Sequence, residues 1–300
     1  MPGSTRTVHR LPTLNLVGAG RVAQTLAILW RTYRVFAIQD VLTTSLASAQ
    51  AACAAIGAGQ TVSSLQTMRN ADVWMLAVPD TELAGCVRLL AEVIDQEHQA
   101  TGSHRNKGKS AAARAPIVFH CSGAQSAVAL APLATLGWQV ASAHCLLSFA
   151  SVSAAVKQFP GTPCALEGDG SASNTLRLAF NSIGARCFNV PSSDKLLYHA
   201  AAVFATNFLP VLQSTAEDLW RTTGMPAELV PHLRESLLRN AVANITTLGP
   251  KAALTGPAAR GDTAAIARQG AAVAAWDAPT GAAYAALSEL ALRLAQTKQD

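Results

Sequence analysis

One turn near the N-terminus constrains the fold more than any other feature. In "LNLVGAGRVAQTLA" (residues 14–27) an apolar, strand-like run ends at Gly18, and Gly20 and Ala23 complete a G-x-G-x-x-A spacing ahead of a helix. Each small residue has a mechanical reason. Gly18 permits the tight turn, Gly20 lets a pyrophosphate approach the backbone, and Ala23 allows close packing of the helix, whose N-terminus favours an anion. A plain glycine-rich turn would share the pattern, but the strand before it and the helix after it favour a dinucleotide. Gly18, Ala19, Gly20, Arg21 and Val22 are therefore candidate cofactor-binding residues.

The chain beyond this turn alternates. Strand-like runs at 13–18, 34–44, 71–80, 115–123 and 138–144 are separated by stretches mostly long enough for helical crossovers, and two more runs at 163–169 and 185–191 bracket the helical "SASNTLRLAFNSIG". This pattern predicts a doubly wound, mostly parallel α/β sheet of the Rossmann type over residues 1–190. From 191 onward strand signals vanish, and helical spacing continues to the end, predicting an all-α domain over 191–300.

Charge and cysteine usage narrow the class. The chain has a net charge of +5, and much of the excess falls at 98–116, where Arg105, Lys107, Lys109 and Arg114 stand among Gly, Ser and Ala. This run reads as a mobile basic surface insertion. It lacks interleaved aromatic residues, which argues against nucleic acid as a partner. Six cysteines are scattered without a Cys-x-x-Cys pair, as expected of buried thiols in a reducing compartment, with no metal site. No hydrophobic signal core opens the sequence, and no window has the roughly 18 uninterrupted apolar residues of a membrane span. A cytoplasmic protein with no membrane partner is the expectation.

The end of the second strand normally selects between NAD and NADP. Asp40 lies too early to pair with a ribose if the strand ends at Thr43, and the tip then offers Thr43, Thr44 and Ser45, hydroxyls that suit a phosphate. With Arg21 nearby, these favour NADP over NAD. Two later strand ends complete the crevice. Val78 and Pro79 belong to a loop crossing the cofactor, while Cys121, Ser122 and Gly123 stand beside the expected nicotinamide. Ser122 can bind substrate through its hydroxyl or cap the following helix.

The runs "NLVGAGRVAQTLA", "ADVWMLAVPD", "HCSGA", "SAHCLLSFA", "YHAAAVFATNF" and "ALTGPAARGD" together resemble a bacterial family of NADP oxidoreductases. In that family a Rossmann-like domain, akin to deazaflavin-dependent NADP oxidoreductases and pyrroline-5-carboxylate reductase, precedes a helical domain of unknown function. The resemblance implies NADP, or NAD or a deazaflavin in its place, a small-molecule substrate, and a homodimer formed through the C-terminal helices. The wider superfamily includes 6-phosphogluconate and 3-hydroxyacid dehydrogenases and ketopantoate reductase. Several of its members carry an acid-catalyst lysine near the start of the first interdomain helix, a place that Lys195 matches. Two positions depart from the family pattern: Thr44 replaces a usual Arg, and His144-Cys145 replaces a usual His-Pro.

The candidate chemistry centres on "PSSDKLLYHAAAVFATNFL" (191–209). At about 100° per residue, His199 lies roughly 40° from Lys195 on a helix and Thr206 about 20° from it, whereas Asn207 is about 120° away unless a kink near Pro210 intervenes. Hydride delivery to a carbonyl or imine needs a proton donor, which Lys195 or His199 can supply from a dry cleft. The alternative is a solvated first-turn lysine beside a structural histidine, although a cation at a helix N-terminus calls for some other reason. Asn207 and Arg260 are candidate substrate-binding residues; Arg260 can hold a carboxylate or brace Asp262. His120 and His144 read mainly as structural. The expected activity is an NADP-dependent oxidoreductase acting on a small carbonyl, imine or hydroxyacid, with a non-catalytic dinucleotide sensor or scaffold as the other reading.

Overall fold

The computed structural model describes residues 10–100 and 115–297, so most of the basic run at 98–116 lies outside the described residues. The chain forms two compact units that divide between Phe204 and Ala205.

Among the described residues, eight strands build the first unit: β1 Thr13–Val17, β2 Ala37–Leu42, β3 Gln60–Thr61, β4 Val73–Leu76, β5 Ile117–His120, β6 Gln139–Cys145, β7 Pro163–Gly168 and β8 Arg186–Asn189. They form one sheet in the order β3-β2-β1-β4-β5-β6-β7-β8. Neighbours are parallel except β6 and β7, which run antiparallel. Helices α1 Arg21–Thr32, α2 Leu46–Ile56 and α3 Asp80–Ala100 join the early strands. The later ones are joined by α4 Ala131–Thr135, α5 Val152–Gln158 and α6 Gly170–Asn181, and α7 Lys195–Ala202 follows β8. The chain leaves β1 toward β2 and returns on the other side of β1 as β4. That reversal is the switch point at which open α/β sheets leave a crevice at their strand C-termini.

The central strands are apolar on both faces because both are covered. Leu14, Leu16, Val73, Met75, Ile117 and Phe119 join one core cluster, while Val17, Trp74, Leu76 and Val118 join the other. The first cluster centres on Trp30, edge-on to Phe36, Phe119 and Phe180, with its indole N–H donating to the Ala179 carbonyl at 3.1 Å. Three cysteines stand in register across β6, β7 and β8: Cys145 opposite Cys164, and Cys164 opposite Cys187.

The unit boundary lies after the 190/191 position expected from sequence. Helix α7 belongs to the first unit, anchored by Lys195, whose side chain reaches back to the ends of the sheet.

The second unit contains α8 Phe208–Thr222, α9 Leu229–Ala253, α10 Gly256–Ala259, α11 Thr263–Trp276 and α12 Ala278–Gln296. Between α7 and α8 the backbone forms a π-helical turn, Val203–Asn207. Pro210 explains it: its ring has no N–H to give the Thr206 carbonyl and would clash there in a regular helix. Asp262 and Asp277 cap α11 and α12. These two helices pack closely, since a β-carbon on Gly281 would lie 2.5 Å from Ala274 Cα. Much apolar surface stays open within this unit, including Val211, Leu212, Ile245 and Leu248. The run Ser192–Thr222 has the length and apolar composition of a membrane span, with a mean hydropathy of 1.3 over its window.

Candidate functional site

The site grows from the strand ends. Gly18, directly after β1, has φ +84°, and a β-carbon there would lie 2.5 Å from the Ala77 carbonyl oxygen. The turn is thus wedged against the exit of β4, and only glycine fits it. Gly20 caps α1 with no side-chain hydrogen bond, and a β-carbon on it would meet nothing within 4 Å. Gly20 thus leaves room at the N-terminus of α1, beside the switch point, where the first helical amides suit a phosphate. Ala23 is fully buried, and Ala19 and Val22 pack against the core. Arg21 is exposed and donates to the Ala150 carbonyl at 3.0 Å.

Within β2, two residues before its end, Asp40 is a structural residue. It is fully buried and accepts from the Arg69 backbone N–H at 2.7 Å and from its guanidinium. The strand ends at Leu42, so Thr43, Thr44 and Ser45 form the exit. Ser45 caps α2, accepting from Ser48 N at 3.2 Å, and Thr43 Oγ1 donates to the Ser45 carbonyl. Thr44 and Ser45 are exposed, and no carboxylate stands among the three.

Val78 and Pro79 occupy the short loop between β4 and α3. Asp80, which opens α3, accepts from Ser122 Oγ at 2.7 Å. Ser122 Oγ also accepts from Ala124 N (3.2 Å) and Gln125 N (2.9 Å). Its one proton and both lone pairs are engaged, which leaves the hydroxyl no capacity for a substrate; it ties the exit of β5 to that of β4. Cys121 has its thiol pushed up to about 12 by burial, so it is a protonated, unreactive neighbour.

Lys195 is 1% exposed. Its Nζ donates to the Ser122 carbonyl at 3.2 Å and to Ser142 Oγ, on β6, at 3.0 Å. This placement resolves the oddity of a cation in a first helical turn: the ammonium has left the helix end for the sheet. Burial lowers its proton affinity, while the carboxylates of Glu167 and Asp80 nearby raise it. A buried lone ammonium costs several kcal/mol, offset here by its two acceptors and the neighbouring carboxylates.

His199 follows one turn later on the same face of α7. Its ring lies 5.5 Å from that of His144, centroid to centroid, at 76°. Its Nδ1 is buried with no hydrogen-bond partner. Both rings press on Gly123, where a β-carbon would lie 2.8 Å from His144 Cε1 and Nε2 and nearer still to His199 Nδ1. His144 Nδ1 pairs with Tyr198 Oη at 2.8 Å. Burial pushes His144 down to about 4, aided by the positive charges of Lys195 and His199. His120 is lowered by burial too; it accepts from Ser122 N at 3.2 Å and lies 3.1 Å from the Ser126 carbonyl, a satisfied structural residue.

The sequence pairs Lys195 with His199 and sets Gly123 beside the expected nicotinamide, but it reads His144 as mainly structural and gives no role to Asp80, Ser142, Glu167 or Tyr198. Tyr198 carried a signal, since three positions beyond Lys195 is still the same helix side. Glu167 carried another, as a carboxylate inside the apolar run "PCALEGD" calls for a partner.

Asn207 and Arg260 belong to the second unit. Asn207 ends the π turn and accepts from Thr206 Oγ1 at 2.8 Å; the wider turn voids the 100° arithmetic that set it aside. Arg260 is exposed and does not brace Asp262, whose carboxylate accepts from Ala265 N at 2.9 Å as the cap of α11.

The fold has relatives among solved structures. A protein from Thermotoga maritima superposes with a TM-score of 0.69 at 22% identity, covering 95% of this chain and 98% of that one. A Bacteroides fragilis protein described as an NADP oxidoreductase gives 0.66 at 20%, with coverages of 94% and 98%. A Plasmodium falciparum pyrroline carboxylate reductase with NADP bound gives 0.55 at 11%, with coverages of 95% and 98%. No curated protein matches the sequence. Residues 5–145 match the Rossmann-like domain, and residues 162–291 match a domain of unknown function, DUF2520. The chain thus joins a Rossmann-like domain to a DUF2520 domain.

Proposed function

We propose that this protein is an NADP-dependent oxidoreductase that moves a hydride between the nicotinamide and a carbon–nitrogen or carbon–oxygen double bond of a small substrate. The observation that carries this reading is His199 Nδ1, a buried ring nitrogen without a partner, at the same strand-end edge as the unobstructed N-terminus of α1. Buried polar groups left unpaired are rare and call for an explanation. A reacting substrate that needs a proton supplies one.

The residues present fit the cofactor. Gly18, Ala19, Gly20 and Val22 would hold its pyrophosphate at the first turn of α1. Arg21, Thr43, Thr44 and Ser45 would take the 2′-phosphate, where an acidic residue would repel it. Val78, Pro79 and Cys121 would flank the nicotinamide end. The bound cofactor supplies the hydride. His199 exchanges the proton, His144 and Tyr198 orient its ring from beside it, and Lys195 holds a positive charge beneath the pair that favours negative charge developing on the substrate. The two oxidoreductase-like neighbours described above, one of them with NADP bound, support the reaction class.

A homodimer through the C-terminal helices accompanies this reading, supported by the exposure of large apolar side chains there, Val211 at 59% and Leu248 at 56%, since exposed apolar surface can mark an interface. Sedimentation as a dimer, reduced to monomer by Val211→Arg, is expected; a monomeric native chain overturns it.

Thermal shift with NADPH, NADH and a deazaflavin, followed by turnover on cyclic imines and small carbonyls, tests the function. Selective stabilisation by NADPH is expected through mass action, with turnover lost in His199→Ala. Turnover unchanged in both His199→Ala and Lys195→Ala overturns the site. NADPH binding without turnover on any such compound turns the reading to the sensor.

A further inference from the structure

Behind Lys195 lies a row of polar groups that nothing in the hydride reaction touches. The antiparallel register of β6 and β7 sets Ser142 opposite Glu167. Ser142 is fully buried and Glu167 is 8% exposed. Ser142 Oγ takes a hydrogen bond from Lys195 Nζ at 3.0 Å and gives its own to Glu167 Oε2 at 3.0 Å. Glu167 Oε2 also accepts from Ala127 N at 2.7 Å, and Oε1 accepts from Ser192 Oγ at 2.5 Å. Ser192 is exposed, in the turn that leads into α7. A hydroxyl has a single proton to donate. An ammonium on one side of Ser142 and a carboxylate on the other fix its direction, from Lys195 through Ser142 to Glu167, while Ser192 donates to the same carboxylate from the solvent side.

We propose that Glu167, acting through Ser142, holds Lys195 in its ammonium form, and that the row Lys195–Ser142–Glu167–Ser192 is the path by which this buried ammonium exchanges its proton with solvent. The step moves one proton and no electrons. As Nζ releases a proton to Ser142 Oγ, Ser142 passes its own to Glu167 Oε2, leaving a neutral amine and a neutral acid, and the carboxyl then exchanges with water beside Ser192. The other groups facing Lys195 do not offer this. Asp80 is engaged by Ser122, Cys121 and Cys164 are held as protonated thiols by burial and by thiol neighbours, and His120, His144, His199 and Tyr198 present no carboxylate. Glu167 is thus a positioning residue, and its value to the reaction rests on the functional reading above.

The test reads the lysine itself, in the full chain without cofactor, by nitrogen-detected NMR titration of 15N-labelled lysine side chains. Glu167→Gln should lower the Lys195 midpoint by a unit or more, a tenfold loss of proton affinity, and Glu167→Asp should restore part of it. Ser192→Ala should keep the midpoint but slow exchange of the Nζ protons several-fold. A folded Glu167→Gln variant with its midpoint within about 0.3 unit of the native chain overturns the proposal. Should that variant fail to fold, Ser142→Ala is read the same way, and an unmoved midpoint overturns it equally. NADPH turnover with an unmoved midpoint sinks this inference alone, and a moved midpoint without turnover sinks only the enzymatic reading.

Discussion

His199 occupies the space that a side chain on Gly123 would need. A β-carbon there would also press on His144, 2.8 Å from two of its ring atoms, so the absence of a side chain at 123 sets the spacing of both histidines. Gly123→Ala is expected to cut turnover at least about tenfold, since small misplacements of reacting groups are costly, while leaving the thermal shift by NADPH intact. Parallel assays of turnover and melting with cofactor check this.

Gly18 and Gly20 should fail in different ways. Gly18→Ala places a β-carbon against the Ala77 carbonyl at positive φ and is expected to cost about 1–3 kcal/mol of stability. Gly20→Asp meets open space, so the fold should keep its melting temperature while NADPH affinity is lost through charge repulsion. Denaturant melts and cofactor titrations separate the two.

Asp40 is sealed against Arg69. Asp40→Asn is expected to destabilise the chain by about 1.5–3 kcal/mol, the worth of a charge-assisted hydrogen bond. The preference between NADPH and NADH should not move. A changed preference would return Asp40 to the cofactor site.

His144 makes stability depend on acid. Its folded proton affinity sits near pH 4, below the ordinary value of 6.5, so between these values the unfolded chain binds more protons than the folded one. Stability is whole above about pH 6.5 and declines as pH falls toward 4, by about 3 kcal/mol in total from this group. His120 is shifted the same way. His144→Gln should flatten the decline, as read from melting temperatures at pH 7 and pH 5.

The parts of the fold legible in sequence are those where one residue answers to local geometry. Gly18 announces its turn because no other residue suits both positive φ and close approach, and Gly20 because a bare backbone leaves room at the helix N-terminus. The central strands announce themselves because both faces are apolar. Lys195 and His199 are legible as a pair because a helix repeats within four residues. What stayed hidden depends on partners far along the chain. Ser122 reads in sequence as either a substrate ligand or a helix cap, and neither reading shows that Asp80, 42 positions earlier, takes its proton. Ser142 and Glu167 meet only because β6 and β7 turn antiparallel, a reversal that no local pattern encodes. The two residues of β3 are too few to show any period. A brace between Arg260 and Asp262 is one of two readings the sequence offers, although an Asp before "TAAIAR" also carries the helix-start signal that the structure bears out.

The anchorage of Lys195 bears on where this chain can be cut. A fragment ended at residue 190, where strand signals stop, would lose the lysine and leave Glu167 and Ser142 lining an emptied slot, a buried carboxylate deprived of its counter-charge. A fragment ended after α7 retains both. The Rossmann-like half is therefore self-sufficient only if it carries a helix that sequence alone would have given to its neighbour.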